Sequence, residues 1–131
     1  MGARILIAED EPNIVTSLEF LLQKNNYEVR VARNGEEALQ LVESFMPDVV
    51  LLDVMMPVRN GFEVCSRIRE NQALRRVKIV MLTARGRDAE RDKGLALGAD
   101  AYITKPFSTK ELLAKVEELV HGNEPGGRAA P

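Results

Sequence analysis

The sequence predicts a doubly wound α/β domain built on a parallel sheet, and two observations carry that expectation. Short apolar runs of five or six residues alternate along the chain with segments whose apolar positions recur at three and four. The run Val49-Val50-Leu51-Leu52 is apolar at every position and closes on Asp53, the pattern of a strand covered on both faces, as parallel strands usually are. Open sheets of this kind bind ligands at the carboxyl ends of their strands. Asp53 therefore stands where chemistry is expected.

Each element follows from its own residues. Arg4 to Ala8 reads as the first strand, and a helix begins after Asp10-Glu11-Pro12, where proline suits the first helical position. That helix carries Ile14, Leu18, Leu21 and Leu22 on one face and ends near Asn25-Asn26. Glu28 to Ala32 is the second strand. Gly35 to Phe45 is the second helix, with Ala38, Leu41, Val42 and Phe45 inward and Pro47 blocking its continuation. Val49 to Leu52 is the third strand, and the third helix follows Asn60-Gly61. Val77 to Leu82 is the fourth strand. The fourth helix, Asp88 to Leu97, has a thin apolar face and stops at Gly98, a natural left-handed cap. Ala101 to Ile103 is the fifth strand. The fifth helix opens at Ser108, with Glu111 placed for a capping box, and buries Leu112, Leu113, Val116, Leu119 and Val120. From Gly122 the composition turns to glycine, proline and small residues, so we expect one domain over 1–121 and a loose tail or linker over 122–131.

A chain of 131 residues with 45% hydrophobic content can bury one ordinary core without disulfides or structural metal. Its net charge of -2 gives no field that favours nucleic acid or a membrane surface. Nine basic residues against four acidic ones between Arg67 and Lys93 read as a solvated face, because no aromatics interleave them. The single cysteine, Cys65, reads as a small packing residue. With no long apolar leader and no run of about 18 apolar residues, a soluble cytoplasmic protein is expected.

Four strand ends carry chemistry. Glu9, Asp10 and Glu11 follow the first strand and supply hard oxygen donors of the kind that bind Mg²⁺. Asp10 equally suits a cap on the first helix, with Glu9 and Glu11 favouring its positive end, and the residues alone leave both readings open. Carboxylates crowded in this way repel and push at least one pKa upward unless a cation joins them. Asp53 is ionised without a general base and can act as nucleophile toward phosphorus. Thr83 ends the fourth strand with a hydroxyl that can donate to a phosphoryl oxygen, and Ala84 beside it leaves room. Lys105 follows the fifth strand, and the Lys105-Pro106 bond is a place where a cis peptide can fix the lysine's direction. Metal donors, nucleophile, hydroxyl and cation brought to one sheet edge are what phosphoryl transfer requires.

The motifs ILIAEDEP, VVLLDVMMP, VMLTARG and GADAYITKPF, in this order over residues 4 to 121, resemble the receiver domain of two-component response regulators. The resemblance implies a flavodoxin-like (βα)5 fold with strand order 2-1-3-4-5. It makes Asp53 the phosphoacceptor, Asp10 a direct Mg²⁺ ligand, Glu9 an outer acidic residue acting through water, and Met55 a backbone carbonyl ligand. It also implies that Thr83 and Lys105 contact the phosphoryl group, that Lys105-Pro106 is cis, and that Tyr102 is the aromatic that swings inward on activation. Glu9 stands where many members have aspartate, and Met55 and Arg85 occupy positions that tune phosphoryl lifetime.

The only histidine, His121, ends the last helix, so the phosphodonor is expected to be another protein, a histidine kinase or histidine phosphotransfer protein. The output partner is an unidentified protein or an effector domain outside this chain. In the branch with winged-helix DNA-binding domains, receivers pair through the fourth helix, fifth strand and fifth helix. Arg91 and Glu111 fit that phosphorylation-dependent homodimer, while Ala101, Lys115 and His121 depart from it. A haloacid dehalogenase-like hydrolase needs an aspartate where Met55 stands, which leaves slow self-dephosphorylation as the expected hydrolytic activity. A nucleotide-binding module needs a P-loop or GxGxxG turn, and neither follows the first strand.

Overall fold

A computed structural model describes residues 2–84 and 88–122. Five parallel strands, β1 (Arg4–Ala8), β2 (Glu28–Ala32), β3 (Val49–Asp53), β4 (Lys78–Ala84) and β5 (Ala101–Lys105), form one sheet in the order β2-β1-β3-β4-β5. The helices between them are α1 (Pro12–Lys24), α2 (Gly35–Phe45), α3 (Gly61–Glu70), α4 (Asp88–Ala96) and α5 (Thr109–Gly122), with a short 3-10 turn at Gln72–Leu74.

Strand alternation divides the core into two layers. Leu6, Ala8, Val50, Leu52, Ile79 and Met81 face α2 and α3, meeting Ala38, Val42, Val64, Cys65 and Ile68. Ile5, Ile7, Val49, Leu51, Val80 and Leu82 face α1 and α5, meeting Leu18, Leu22, Leu112 and Val116. Because both faces are covered, β3 is buried at all five positions, and each large side chain enclosed there contributes about 2 kcal/mol. Its uninterrupted apolar run has this cause.

The helix signals are realised with small shifts. Pro12 occupies the first turn of α1, and Asn34 and Asn60 cap α2 and α3 by accepting from Glu37 and Glu63 N–H. Ser108 Oγ accepts the Glu111 N–H at 2.9 Å, so α5 itself starts at Thr109. In α1, Val15 is buried and Ile14 only partly so, which rotates the inward face by one residue from the expected one. Leu113, Leu119 and Val120 of α5 are likewise partly rather than fully buried. α5 runs through Gly122, and the predicted tail beyond it lies outside the described residues, as does Arg85.

β3, β4 and β5 each extend past their expected ends, to Asp53, Ala84 and Lys105, and β4 starts at Lys78 rather than Val77. The polar residues Asp53, Thr83 and Lys105 thus belong to the ladder instead of following it. α4 ends at Ala96, one residue early, with Gly98 at φ 109 after it.

Only Gly94 of α4 is buried. The helix is held from its flanks: Lys93 lies 4.5 Å from the Phe62 ring centroid and Arg91 5.4 Å from that of Tyr102. Such cation–π contacts at exposed sites contribute about 0.5–1 kcal/mol each. The basic stretch is therefore partly structural. Arg69 joins it in that role, donating to the Gly98 and Val77 carbonyls at 2.8 and 2.9 Å and pairing with Asp100 at 2.7 Å. Cys65 is fully buried and its thiol is pushed up by burial, which keeps it unreactive.

Candidate functional site: an acidic pocket at the carboxyl edge of the sheet

Sheet register delivers the site. Ala8 pairs with Leu52 and Asp53 with Leu82, so Glu9, the residue after β1, lies level with Asp53. Thr83 pairs with Thr104 and Ala84 with Lys105, which sets the hydroxyl and the ammonium one and two steps further out. The chain crosses from β1 to β2 on one side and then back from β2 past β1 to β3 on the other, and this reversal opens a crevice at the strand ends.

Glu9, Asp53 and Thr83 are the buried polar residues among those described, at 0%, 4% and 2% exposure. Ligand atoms of Glu9, Asp10 and Asp53 all lie within 4.8 Å of one another. Lys105 Nζ is 2.8 Å from Glu9 Oε1 and 3.3 Å from Asp53 Oδ1. Glu9 Oε1 has that ion-pair partner but no hydrogen bond of good geometry, while Oε2 accepts the Glu11 N–H at 3.1 Å. Met55 N donates to Asp53 Oδ1 at 3.2 Å, and its side chain is exposed.

Charge is unevenly balanced. Burial pushes the Glu9 carboxyl above its ordinary value, the adjoining Lys105 ammonium pulls it back, and the Asp53 charge raises it again. For Lys105 burial acts downward, but the Glu9 and Asp53 carboxylates outweigh it and hold the ammonium above its ordinary value. One cation among three carboxylates leaves a net negative pocket.

That residual charge fits a hard divalent ion. The N-cap of α1 is Glu11, without a side-chain cap hydrogen bond, so the N-cap position that rivalled metal binding as a role for Asp10 falls one residue later. Asp10 itself is exposed beside the buried pair. A cluster of oxygen donors open on one side suits Mg²⁺, which keeps several waters and takes few protein ligands.

Two features escaped sequence reasoning. Lys105 pairs with the buried Glu9 carboxylate as well as with Asp53. Gly61 packs against the end of β3, where an added Cβ would lie 2.5 Å from the Asp53 carbonyl oxygen. The sequence showed Asn60-Gly61 only as a helix start. The Lys105-Pro106 peptide is cis. Tyr102 is 37% exposed and sits under the Arg91 guanidinium, on the outer side of β5.

Fold and pocket together define a doubly wound α/β protein whose acidic, lysine-bridged site lies at the carboxyl edge of a 2-1-3-4-5 sheet. A profile of the response regulator receiver domain matches residues 5–117, and the chain belongs to that family. It is 42% identical over 124 residues to the alkaline phosphatase synthesis transcriptional regulatory protein PhoP of Bacillus subtilis, covering 95% of this chain and 51% of that protein. The chain thus spans about half the length of this relative. The receiver domain of the sensor histidine kinase PA1611 of Pseudomonas aeruginosa, solved with magnesium coordinated in its active-site cleft, superposes with a TM-score of 0.84 at 32% identity, covering 92% of this chain and 98% of that one. The chemotaxis response regulator CheY4 of Vibrio cholerae gives a TM-score of 0.85 at 32% identity, covering 91% and 99%. Among the described residues no helix is long and apolar enough to cross a membrane.

Proposed function

We propose that this receiver domain is a Mg²⁺-dependent switch that takes a phosphoryl group onto Asp53. The observation that carries the reading is the juxtaposition of three carboxylates within 4.8 Å with the Lys105 ammonium 3.3 Å from Asp53. An Asp53 carboxylate oxygen attacks phosphorus, the bond from phosphorus to the donor's imidazole nitrogen or acyl oxygen breaks, and the donor leaves with that electron pair. Asp53 gives up no proton, so no base is needed. Thr83 donates its hydroxyl to one phosphoryl oxygen, and Lys105 exchanges its carboxylate partner for another. Asp10, Asp53 and the Met55 carbonyl would hold Mg²⁺, with Glu9 acting through water. When bound, the ion neutralises the oxygens of the incoming group.

The donor is a histidine kinase or histidine phosphotransfer protein. An apolar groove of about 300 Å³, lined by Asn13, Ile14, Ser17, Lys105, Pro106, Phe107 and Thr109, opens beside the acceptor lysine and offers such a protein its footing. Output passes through α4, β5 and α5. Withdrawal of Thr83 and Lys105 toward the phosphoryl group favours Tyr102 turning inward, which separates it from Arg91 and loosens the thinly packed α4; this is a population shift between two arrangements. Arg91 faces Asp88, Asp92 and Tyr102 of its own chain, so the homodimer contact with Glu111 requires that rearrangement. The fraction of PhoP spanned allows a second reading, in which the chain is the receiver part of a longer DNA-binding transcriptional regulator.

Intact-mass spectrometry after incubation with Mg²⁺ and acetyl phosphate tests the proposal. The expected result is a gain of one phosphoryl group that EDTA prevents and that decays over time. Turnover of unrelated phosphate esters without a labile protein-bound phosphoryl group would instead indicate a hydrolase.

A further inference from the structure

The loop joining β3 to α3 holds a residue in an unusual conformation. Val58 has φ 71, and Arg59 N donates to the Pro57 carbonyl at 2.8 Å across it. A three-residue turn with positive φ is rare and strained, and a β-branched residue is poorly suited to it. Such conformations persist where the surroundings over-determine them, and they gather at functional sites.

The surroundings here converge on Arg59. Its Nε donates to Glu36 Oε1 at 2.7 Å and its Nη1 to Glu63 Oε2 at 2.6 Å. These acids lie in the first turns of α2 and α3, so one guanidinium ties two helix N-termini to the loop. Both carboxylates hold the guanidinium above its ordinary pKa. Gly35 N donates to the Pro57 carbonyl at 3.1 Å, and only glycine fits there, since an added Cβ would meet the Arg59 carbonyl. At its base the loop is closed by Gly61 N to the Val54 carbonyl at 2.9 Å. Between base and tip lies Met55, whose N–H reaches Asp53 Oδ1.

We propose that Arg59 is a positioning residue for the phosphoacceptor loop: by bridging Glu36 and Glu63 it holds the Pro57-Val58-Arg59 turn, and through it the Met55 backbone, in the arrangement that binds Mg²⁺ beside Asp53. Exposed ion pairs contribute little to global stability, but two charge-assisted bonds from one planar group fix an orientation. The effect is therefore on the site rather than on the fold. Lysine substitutes only in part, because a single ammonium lacks the fork that spans both acids.

This inference deepens the proposed function and rests on its metal site. The test compares the parent chain, Arg59→Ala, Arg59→Lys and Arg59→Ala combined with Val58→Gly. Mg²⁺ affinity is read by calorimetry, and amide hydrogen exchange over residues 55–60 is read in metal-free protein. The expected result for Arg59→Ala is an affinity about 10-fold weaker, in the range found when outer partners of metal ligands are lost. Exchange over the loop should be faster, with Tm little changed. Arg59→Lys should fall between, and Val58→Gly should restore much of the affinity because glycine adopts positive φ freely. Unchanged affinity and unchanged exchange in folded Arg59→Ala would overturn the inference. So would a loss of affinity matched by a large drop in Tm and not relieved by Val58→Gly. A parent chain without Mg²⁺ affinity would count against the proposed function, while the exchange comparison would still decide whether Arg59 holds the loop.

Discussion

Lys105→Ala is expected to lower stability at neutral pH by about 2–3 kcal/mol, below the 3–5 typical of a fully buried broken pair because the lysine is 24% exposed. The substitution leaves Glu9 and Asp53, both enclosed, facing each other with no cation. The sign of its pH dependence follows from Glu9. That carboxyl already sits above its ordinary value with the lysine present, and removing the lysine takes away a lowering influence, so it rises further. A carboxyl raised by folding contributes stability that is present below its unfolded value, near 4.5, and lost as pH rises through its folded value. The deficit of Lys105→Ala should therefore be largest at neutral pH and should shrink as pH falls toward 5. Urea melts across that range check it, and a deficit independent of pH would refute the electrostatic origin. In the parent, the raised Lys105 ammonium acts at the other end of the scale: its contribution is present below 10.5 and lost as pH rises through the higher folded value.

Asp10→Asn should produce two effects of opposite sign. Without metal it removes one of three crowded negative charges, so the melting temperature should rise. With metal it removes a charged donor, and Mg²⁺ affinity should fall on the order of 100-fold, the upper end of what outer partners alone achieve. Stabilisation by a ligand grows as RT ln(1 + [L]/Kd), so the Mg²⁺-dependent gain in melting temperature expected of the parent should nearly vanish at millimolar Mg²⁺. Melting curves with EDTA and with Mg²⁺ separate the two effects. A variant less stable in EDTA and still responsive to Mg²⁺ would mean that Asp10 serves the loop rather than the metal.

The limits of legibility have physical causes. β1 and β2 could be read to the residue because their apolar pattern ends where their ladders end. β3, β4 and β5 could not, because Asp53, Thr83 and Lys105 continue the backbone pairing while breaking the apolar pattern that marks a strand. Strand order came from family resemblance, since local periodicity carries no information about which strands pair. Asp53, Thr83 and Lys105 stand out as candidates for the same reason that strand ends are blurred: each is a polar residue at the limit of an apolar run. α4 was marked as thinly apolar, but the cation–π contacts of Lys93 and Arg91 join residues distant in sequence. Arg59 is the clearest omission. Its partners are 23 residues back and 4 ahead, and nothing about valine at position 58 announces a positive φ.

The central claim is that the Asp53 carboxylate takes the phosphoryl group, and borohydride reduction of freshly phosphorylated protein followed by peptide mapping tests it most directly. An acyl phosphate at this position is reduced to the alcohol, so the account predicts homoserine at position 53 in the treated protein and none when Mg²⁺ is withheld. Phosphorylated protein that leaves Asp53 intact and carries the reduced residue at Asp10, at Glu9 or elsewhere would contradict it.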